Sequence, residues 1–483
     1  MKLLNRRELL GHAAGFGAAF ALPSAAFAAS DKRLAYPPLL DATTSRLFQL
    51  EARTGETRFD DGAASETFGY NQGYLGPTIR VQAGVETRAE VHNTLGEPMS
   101  AHWHGLVVAG EFDGGPHQAI APGDTWKPVL DLDQPPATAW YHSHIHGATA
   151  RQVMLGLAGV LQVTDDADDA RGLPSAYGVD DLTLVLQDRQ FNWRGRLKYD
   201  PGMHQSMNGF QGDTMVVNGQ IGASAAVPKG IVRCRVVNGS NARGYRLSMS
   251  DSRSLHLIAT DAGFLDRPIA LNRLTLAPGE RAEVLVDFTS GRDSVLKSDD
   301  IINSAMGGMM GGGGSGSPFT VLPFAVDTTL PVRIDALPGS LDGQLPDLAV
   351  KDAPVRRLSL DMSMGMGMMF SRSGNRFSIN GASYDSGTLN FSTKLNSIER
   401  WIVRGAMMMH PFHVHGVRFQ VLSENGTAPR AENRGWKDTV LVDGEVELAM
   451  KFEKPASAAA PYMYHCHILE HEDGGMMGQF SVA

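Results

Sequence analysis

Cysteine is nearly absent from this 483-residue chain: Cys234 and Cys466 are the only two. Two thiols cannot make a disulfide framework, so a chain of this length must hold together by burying apolar surface. A basic excess is also missing. The formal net charge is −9, with 43 Lys+Arg against 52 Asp+Glu, and no nucleic-acid partner is expected because one would need a basic face. Beyond the N-terminus, no segment reaches the roughly 18 consecutive apolar residues of a membrane span, so no stable membrane insertion is expected. Long helical patterns are scarce. Glycine (54) and proline (25) are frequent, and period-2 alternation dominates, which indicates all-β sandwiches.

The N-terminus reads as an export signal. Arg6 and Arg7 in "NRRELL" precede an apolar, small-residue run, and Ala26-Phe27-Ala28 fits a small-x-small cleavage pattern. The paired arginines suit the twin-arginine export machinery, with an ordinary Sec signal as the alternative. The expectations are a signal peptide over 1–28 and a soluble, monomeric, periplasmic mature chain.

A repeat follows. "IAPGDTWKPVLDL" (Ile120–Leu132), "LAPGERAEVLVDF" (Leu276–Phe288) and "LVDGEVELAMKFE" (Leu441–Glu453) each place a Gly turn before an alternating strand. Upstream of each lies another strand: "TRAEVHNTL" from Thr87, "GIVRCRVVNGS" from Gly230 and "IERWIVRGA" from Ile398. The offset of roughly 150 residues is a single-domain length. Three similar β-domains are expected, over 35–168, 178–325 and 355–483. Cys234, in an alternating strand, reads as a buried core thiol.

Ten of the 16 histidines make up a ligand pattern in four short motifs, with His146 outside that pattern. "HWHG" carries His102 and His104, and "YHSHIHG" carries His142 and His144. "HPFHVHG" carries His410, His413 and His415; "HCHILEH" carries His465, His467 and His471. In a strand, residues i and i+2 face the same way, so each H-x-H sends two imidazoles to one side. Eight imidazoles are too many for one zinc and suit a cluster of several ions. Cys466 faces away from its neighbours His465 and His467. With His410, His471 and Met476 it makes the Cys, two His and axial Met of a blue-copper electron-transfer site.

These motifs, with "GLVVAGEFDGGP", "RQVMLGLAGVLQV", "LSENGTAPRAENRGWKDTV" and "HILEHEDGGMMGQFSV", resemble the multicopper oxidases, and among them the bacterial periplasmic cuprous oxidases. The resemblance implies three consecutive cupredoxin-like Greek-key β-sandwich domains and four copper ions. It assigns His410, Cys466, His471 and Met476 to the type 1 copper, and His102 and His413 to the type 2 copper. His104, His142, His144, His415, His465 and His467 go to the type 3 pair. It implies O2 as electron acceptor, reduced to water, and matches Asp113 and Glu472 to carboxylates that deliver protons. In function it implies Cu(I) oxidation in copper tolerance, with laccase-like oxidation of phenols or aromatic amines as the alternative.

Methionine bears on the substrate. Of 22 in the chain, five lie within 361–369, and Met407, Met408 and Met409 directly precede His410. Thioethers are soft ligands that favour Cu(I). Met362 and Met408 match the substrate-copper methionines of the family. Met408 shares a side with His410 if that segment is extended. Two departures stand out: Ala406 replaces an acidic residue of the family, for which Asp361 would substitute, and the Met-rich insertion is short.

Overall fold

The computed structural model describes residues 32–300, 319–363, 376–405 and 407–483. The export signal, the Met/Gly run before Ser317, the Met364–Met369 tract and Ala406 lie outside the described residues. The described chain folds into three β-sandwiches, each of two facing sheets.

The repeat seen in the sequence is one pairing used three times. In the first sandwich the Leu47–Thr57 strand runs parallel to Thr87–Asn93, which pairs antiparallel with Thr125–Trp126 and Val129–Leu130. In the second, Asp181–Arg189 runs parallel to Ile231–Asn238, which pairs antiparallel with Arg281–Asp287. In the third, Val355–Met362 runs parallel to Ile398–Gly405, which pairs antiparallel with Glu445–Lys451. A parallel pair needs a crossover, so each domain closes by passing from one sheet to the other.

Each sandwich has its own apolar core. Phe48, Val91, Trp103 and Leu161 fill the first, Leu184, Val236, Leu257 and Leu322 the second, and Leu360, Trp401, Phe412 and Phe480 the third. Cys234 is buried in the second core. The Ile231–Asn238 strand is buried along its whole length, not alternately, because its outer face packs on the first sandwich. That face carries Arg233 and Arg235, which find carboxylate partners there.

Three short helices matter to the site: α1 (Thr149–Leu155), α2 (Met203–Asn208) and α3 (Leu469–Asp473). Helix α1 follows the second histidine motif and α3 carries His471. The Asp473 carboxylate of α3 accepts from Thr149 N at 3.1 Å and Ala150 N at 2.9 Å, taking up orphan donors at the start of α1. Among the described residues no helix is long and apolar enough to cross a membrane.

Candidate metal centre

The four histidine motifs meet between the first and third sandwiches. Two of them lie on neighbouring antiparallel strands, His410–Val414 and Tyr462–Cys466, with His413 opposite His465 and Phe412 opposite Cys466. Alternation then sorts the side chains. His465 and His467 face the first sandwich, while Cys466 points into the third core. The facing motifs interleave: His102 stacks on His415 at 3.8 Å between ring centroids, and His104 on His413 at 3.6 Å. All eight of these imidazoles are buried.

Hydrogen bonds fix which nitrogen of each ring carries the proton. His102 Nδ1 donates to Asp113 O at 3.0 Å, His142 Nδ1 to Ser143 O at 2.9 Å, His413 Nδ1 to Asp438 O at 2.9 Å and His465 Nδ1 to Cys466 O at 3.0 Å. His415 Nδ1 donates to Asp113 Oδ2 at 2.7 Å. A carbonyl or carboxylate only accepts, so Nε2 of these rings is bare. The bare nitrogens face one another, His102 and His413 at 3.4 Å and His415 and His465 at 3.2 Å, and His144 Nε2 lies 3.3 Å from that of His465. Lone pairs that close repel unless a cation lies among them. His142 Nε2, His104 Nδ1 and both ring nitrogens of His467 are buried without a hydrogen-bond partner. Burial, then the neighbouring imidazoles, holds His104, His142, His144, His415, His465 and His467 well below the ordinary histidine value. They are neutral bases, the form that binds metal. The donor set fits a cluster of copper ions.

The second group lies in the third sandwich. Cys466 Sγ is 3.4 Å from His410 Nδ1 and 3.6 Å from His471 Nδ1. His471 donates Nε2–H to Met207 O of α2 at 3.0 Å, which leaves Nδ1 bare toward the sulfur. Ile468 N donates to Cys466 Sγ at 3.4 Å. Burial pushes the thiol up in the metal-free chain, an effect that a bound cation reverses. Met476 is fully buried in the same core cluster as Cys466; Met477 lies outside that cluster and pairs with His465. Cys466 and its two flanking histidines thus join the two groups through one strand.

Two buried carboxylates touch the cluster. Besides its bond to His415, Asp113 Oδ2 is 3.5 Å from His102 Nδ1. Glu472 places Oε1 3.3 Å from His144 Nδ1 and Oε2 3.2 Å from His465 Nδ1. Burial, reinforced by Asp473, holds the Glu472 carboxyl well above its usual range. Burial also pushes Asp473 up to about 7, against the two amide N–H groups that it accepts from.

The residues expected to hold a substrate ion lie on two segments of the third sandwich, the Val355–Met362 strand and the stretch before His410. Asp361 lies on the opposite face of its strand from Leu360 and Met362, and accepts from Ser359 Oγ and from Gly381 N at 3.1 Å. Met362 and Met408 pack against the third core as half-buried side chains. The chain turns just before His410: Met407 has φ of 71°, and the extended strand begins at His410.

Several functional neighbours carried no sequence signature. Asp438 lies in "GWKDTV", a segment with no metal-ligand spacing, yet its carboxylate is 3.0 Å from His104 Nε2. Arg281 and Met207 come from the second sandwich, which contributes no histidine motif, so no spacing could point to them.

Comparison with known proteins agrees with this geometry. Family models described as multicopper oxidase match residues 51–168 and 357–483, the two histidine-bearing sandwiches. The chain belongs to the multicopper oxidase family. Among solved structures it is similar to a bacterial laccase-like multicopper oxidase, CueO, from Ochrobactrum sp., with 40% identity, a TM-score of 0.86 and coverage of 93% of this chain and all of that one. Curated relatives include the cell division protein FtsP of Xenorhabdus nematophila, 36% identical over 99% of this chain and 98% of the relative. That of Escherichia coli K12 is 37% identical over 99% of each. These relatives overturn the narrower role expected from the sequence. The curated relatives that match the chain from end to end are named as cell division proteins. The physical reason is plain: multicopper oxidase motifs specify a donor set and leave the biological role unspecified.

Proposed function

We propose that this protein is a copper-loaded oxidase that takes electrons singly from a reductant and passes them to O2, and that it works outside the cytoplasm after export. The inward-facing bare nitrogens carry this reading, because that interface is electrostatically incomplete until cations fill it. Four copper ions are assigned: His410, Cys466, His471 and Met476 would hold a type 1 ion, and His102 and His413 a type 2 ion. His104, His142, His144, His415, His465 and His467 would hold a type 3 pair. Bound there, copper supplies one-electron exchange at the cysteine set and reduction of O2 to water at the histidine cluster. Cys466 and its neighbours provide an unbroken covalent path between the two groups. Asp113 orients His415 and His102. Glu472, with its carboxyl raised, can hold a proton beside His144 and His465 and release it.

End-to-end similarity to cell division proteins favours a second reading, in which the molecule acts in division through its surface alone. One comparison separates them. Purified protein reconstituted with copper should retain four ions per chain after desalting, turn blue, and consume O2 with an outer-sphere reductant such as ferrocyanide. Cys466→Ser should lose colour and uptake. A chain that retains no copper, and a serine variant that restores septation in a deletion strain as well as wild type, would establish the second reading.

A further inference from the structure

The second sandwich supplies no histidine to the cluster, yet its side chains reach the residues that border it. Arg281, on the Arg281–Asp287 strand, is fully buried, and all five of its N–H groups are engaged. Nη1 donates to Asp438 Oδ1 at 2.7 Å and Nη2 to Asp438 Oδ2 at 2.6 Å, a bidentate fork. The remaining donors go to Thr138 O of the first sandwich at 3.0 Å, and to Gly279 O at 3.2 Å and Asp261 O at 2.8 Å of the second. This guanidinium therefore ties all three sandwiches together at the edge of the histidine cluster. The chain makes room for it. Gly105, the last residue of "HWHG", has φ of 97°, and a Cβ there would collide with Arg281 Nη2 and come within 3.1 Å of Asp438 Oδ2.

The fork aims Asp438 chiefly at His104, with His413 Nδ1 farther off at 3.5 Å from Oδ1. Asp438 Oδ1 is 3.0 Å from His104 Nε2, and the Thr439 hydroxyl, itself donating to Asp438 Oδ1 at 2.8 Å, is also 3.0 Å from that nitrogen. A carboxylate only accepts, so the proton of His104 sits on Nε2 and its bare nitrogen is Nδ1, which is buried without a partner. This is the reverse of His102, His142, His413, His415 and His465, whose Nδ1 is the protonated atom.

We propose that Arg281 and Asp438 are positioning residues: the guanidinium fork holds the carboxylate that locks His104 in the inverted tautomer, so that Nδ1 is the nitrogen offered to copper. The second sandwich thereby serves the metal centre without a ligand of its own. The inference rests on the copper reading above, but its test has a part that does not.

In metal-free protein labelled with 15N histidine, the His104 ring, identified by its absence in His104→Gln, should be protonated on Nε2. In Asp438→Ala it should shift to a mixture of tautomers or to Nδ1–H. In copper-loaded protein the same variant should lose the EPR-silent copper pair, retain copper at the cluster at least tenfold more weakly, and keep the blue type 1 colour, which also reports a folded third sandwich. Asp438→Asn keeps an acceptor oxygen toward His104 and should restore the silent pair. Should Asp438→Ala fail to fold, Arg281→Lys, which keeps the buried charge and loses the fork, should show the same selective loss. An Asp438→Ala or Arg281→Lys protein with an intact silent pair and His104 still protonated on Nε2 overturns the assignment. So does an Asp438→Asn protein that loses the pair as fully as the alanine variant. Wild-type protein that takes up no copper contradicts the proposed function, while the tautomer measurement still decides this inference.

Discussion

The first sandwich meets the third and the second through two interfaces built on opposite principles. Toward the third it presents imidazoles whose ring nitrogens come within 3.3–3.4 Å of histidines across the interface. Toward the second it meets closed ion pairs. Glu283 accepts from Arg233 Nε at 2.8 Å, Arg235 Nη1 at 3.0 Å and Thr138 Oγ1 at 2.6 Å, and Arg235 also pairs with Asp181 at 2.8 Å. Burial pushes the Glu283 carboxyl up, but the two arginines outweigh it and hold it at about 2. The charged interface is balanced within the chain. The neutral one is balanced only by something added. Burial alone therefore does not identify a functional site; unspent donor capacity does.

The largest effect should come from the strand that joins the two donor groups. Cys466→Ser should abolish the blue colour and lower O2 uptake at least ~100-fold, since a hydroxyl is a far poorer soft ligand than a thiolate. A blue, active serine variant would remove the cysteine from the centre. Next come the interfaces themselves. Glu283→Ala leaves two buried arginines without a shared partner and should cost about 3–5 kcal/mol in denaturant unfolding, with or without copper. His102→Gln should change the copper-free protein by no more than about 1 kcal/mol and instead remove part of the stabilisation that copper brings. Equal losses in both variants in the copper-free state would erase the distinction between the interfaces.

The carboxylates should act on half of the cycle. Glu472→Gln should slow reoxidation by O2 by about 100-fold while reduction of the colour by an outer-sphere donor stays near normal, in stopped-flow traces of each half-reaction. Slowed reduction with normal reoxidation would move Glu472 out of the proton path.

Acid should loosen the copper-free protein more gently. The cluster imidazoles sit below their ordinary value when folded, so the unfolded chain binds more protons once pH falls through about 6.5, and stability is lost there. Glu472 and Asp473 sit above their ordinary values and work the other way: their stabilisation is full below about pH 4 and is lost as pH rises, for Asp473 through about 7, but the imidazoles outnumber them. The melting temperature of copper-free protein should fall from pH 7 to 5, with a shallower fall once copper is bound. Equal slopes would mean that the imidazoles do not hold the metal.

The all-β architecture and the repeat were legible because period-2 alternation and Gly turns are local, and the repeated segments proved to be topologically equivalent strands. The histidine groups were legible because H-x-H on a strand fixes a shared face. Asp438 and Arg281 were not, since a lone carboxylate just before a strand and a lone arginine at the start of another carry no spacing, and only the docking of three sandwiches unites them. Asp361 and Met362, adjacent in sequence, lie on opposite faces of their strand. The biological role was not legible, because the motifs record which atoms bind metal and nothing about the pathway they serve.

The most direct test is a copper titration of the metal-free protein followed by thermal unfolding. An interface left open by its own donors should close on copper, raising the melting temperature by several degrees as the ions fill the sites, equivalent to about 4 kcal/mol at a thousandfold excess over the dissociation constant for one site. A melting temperature unchanged by copper, with no ions retained after desalting, would contradict the account.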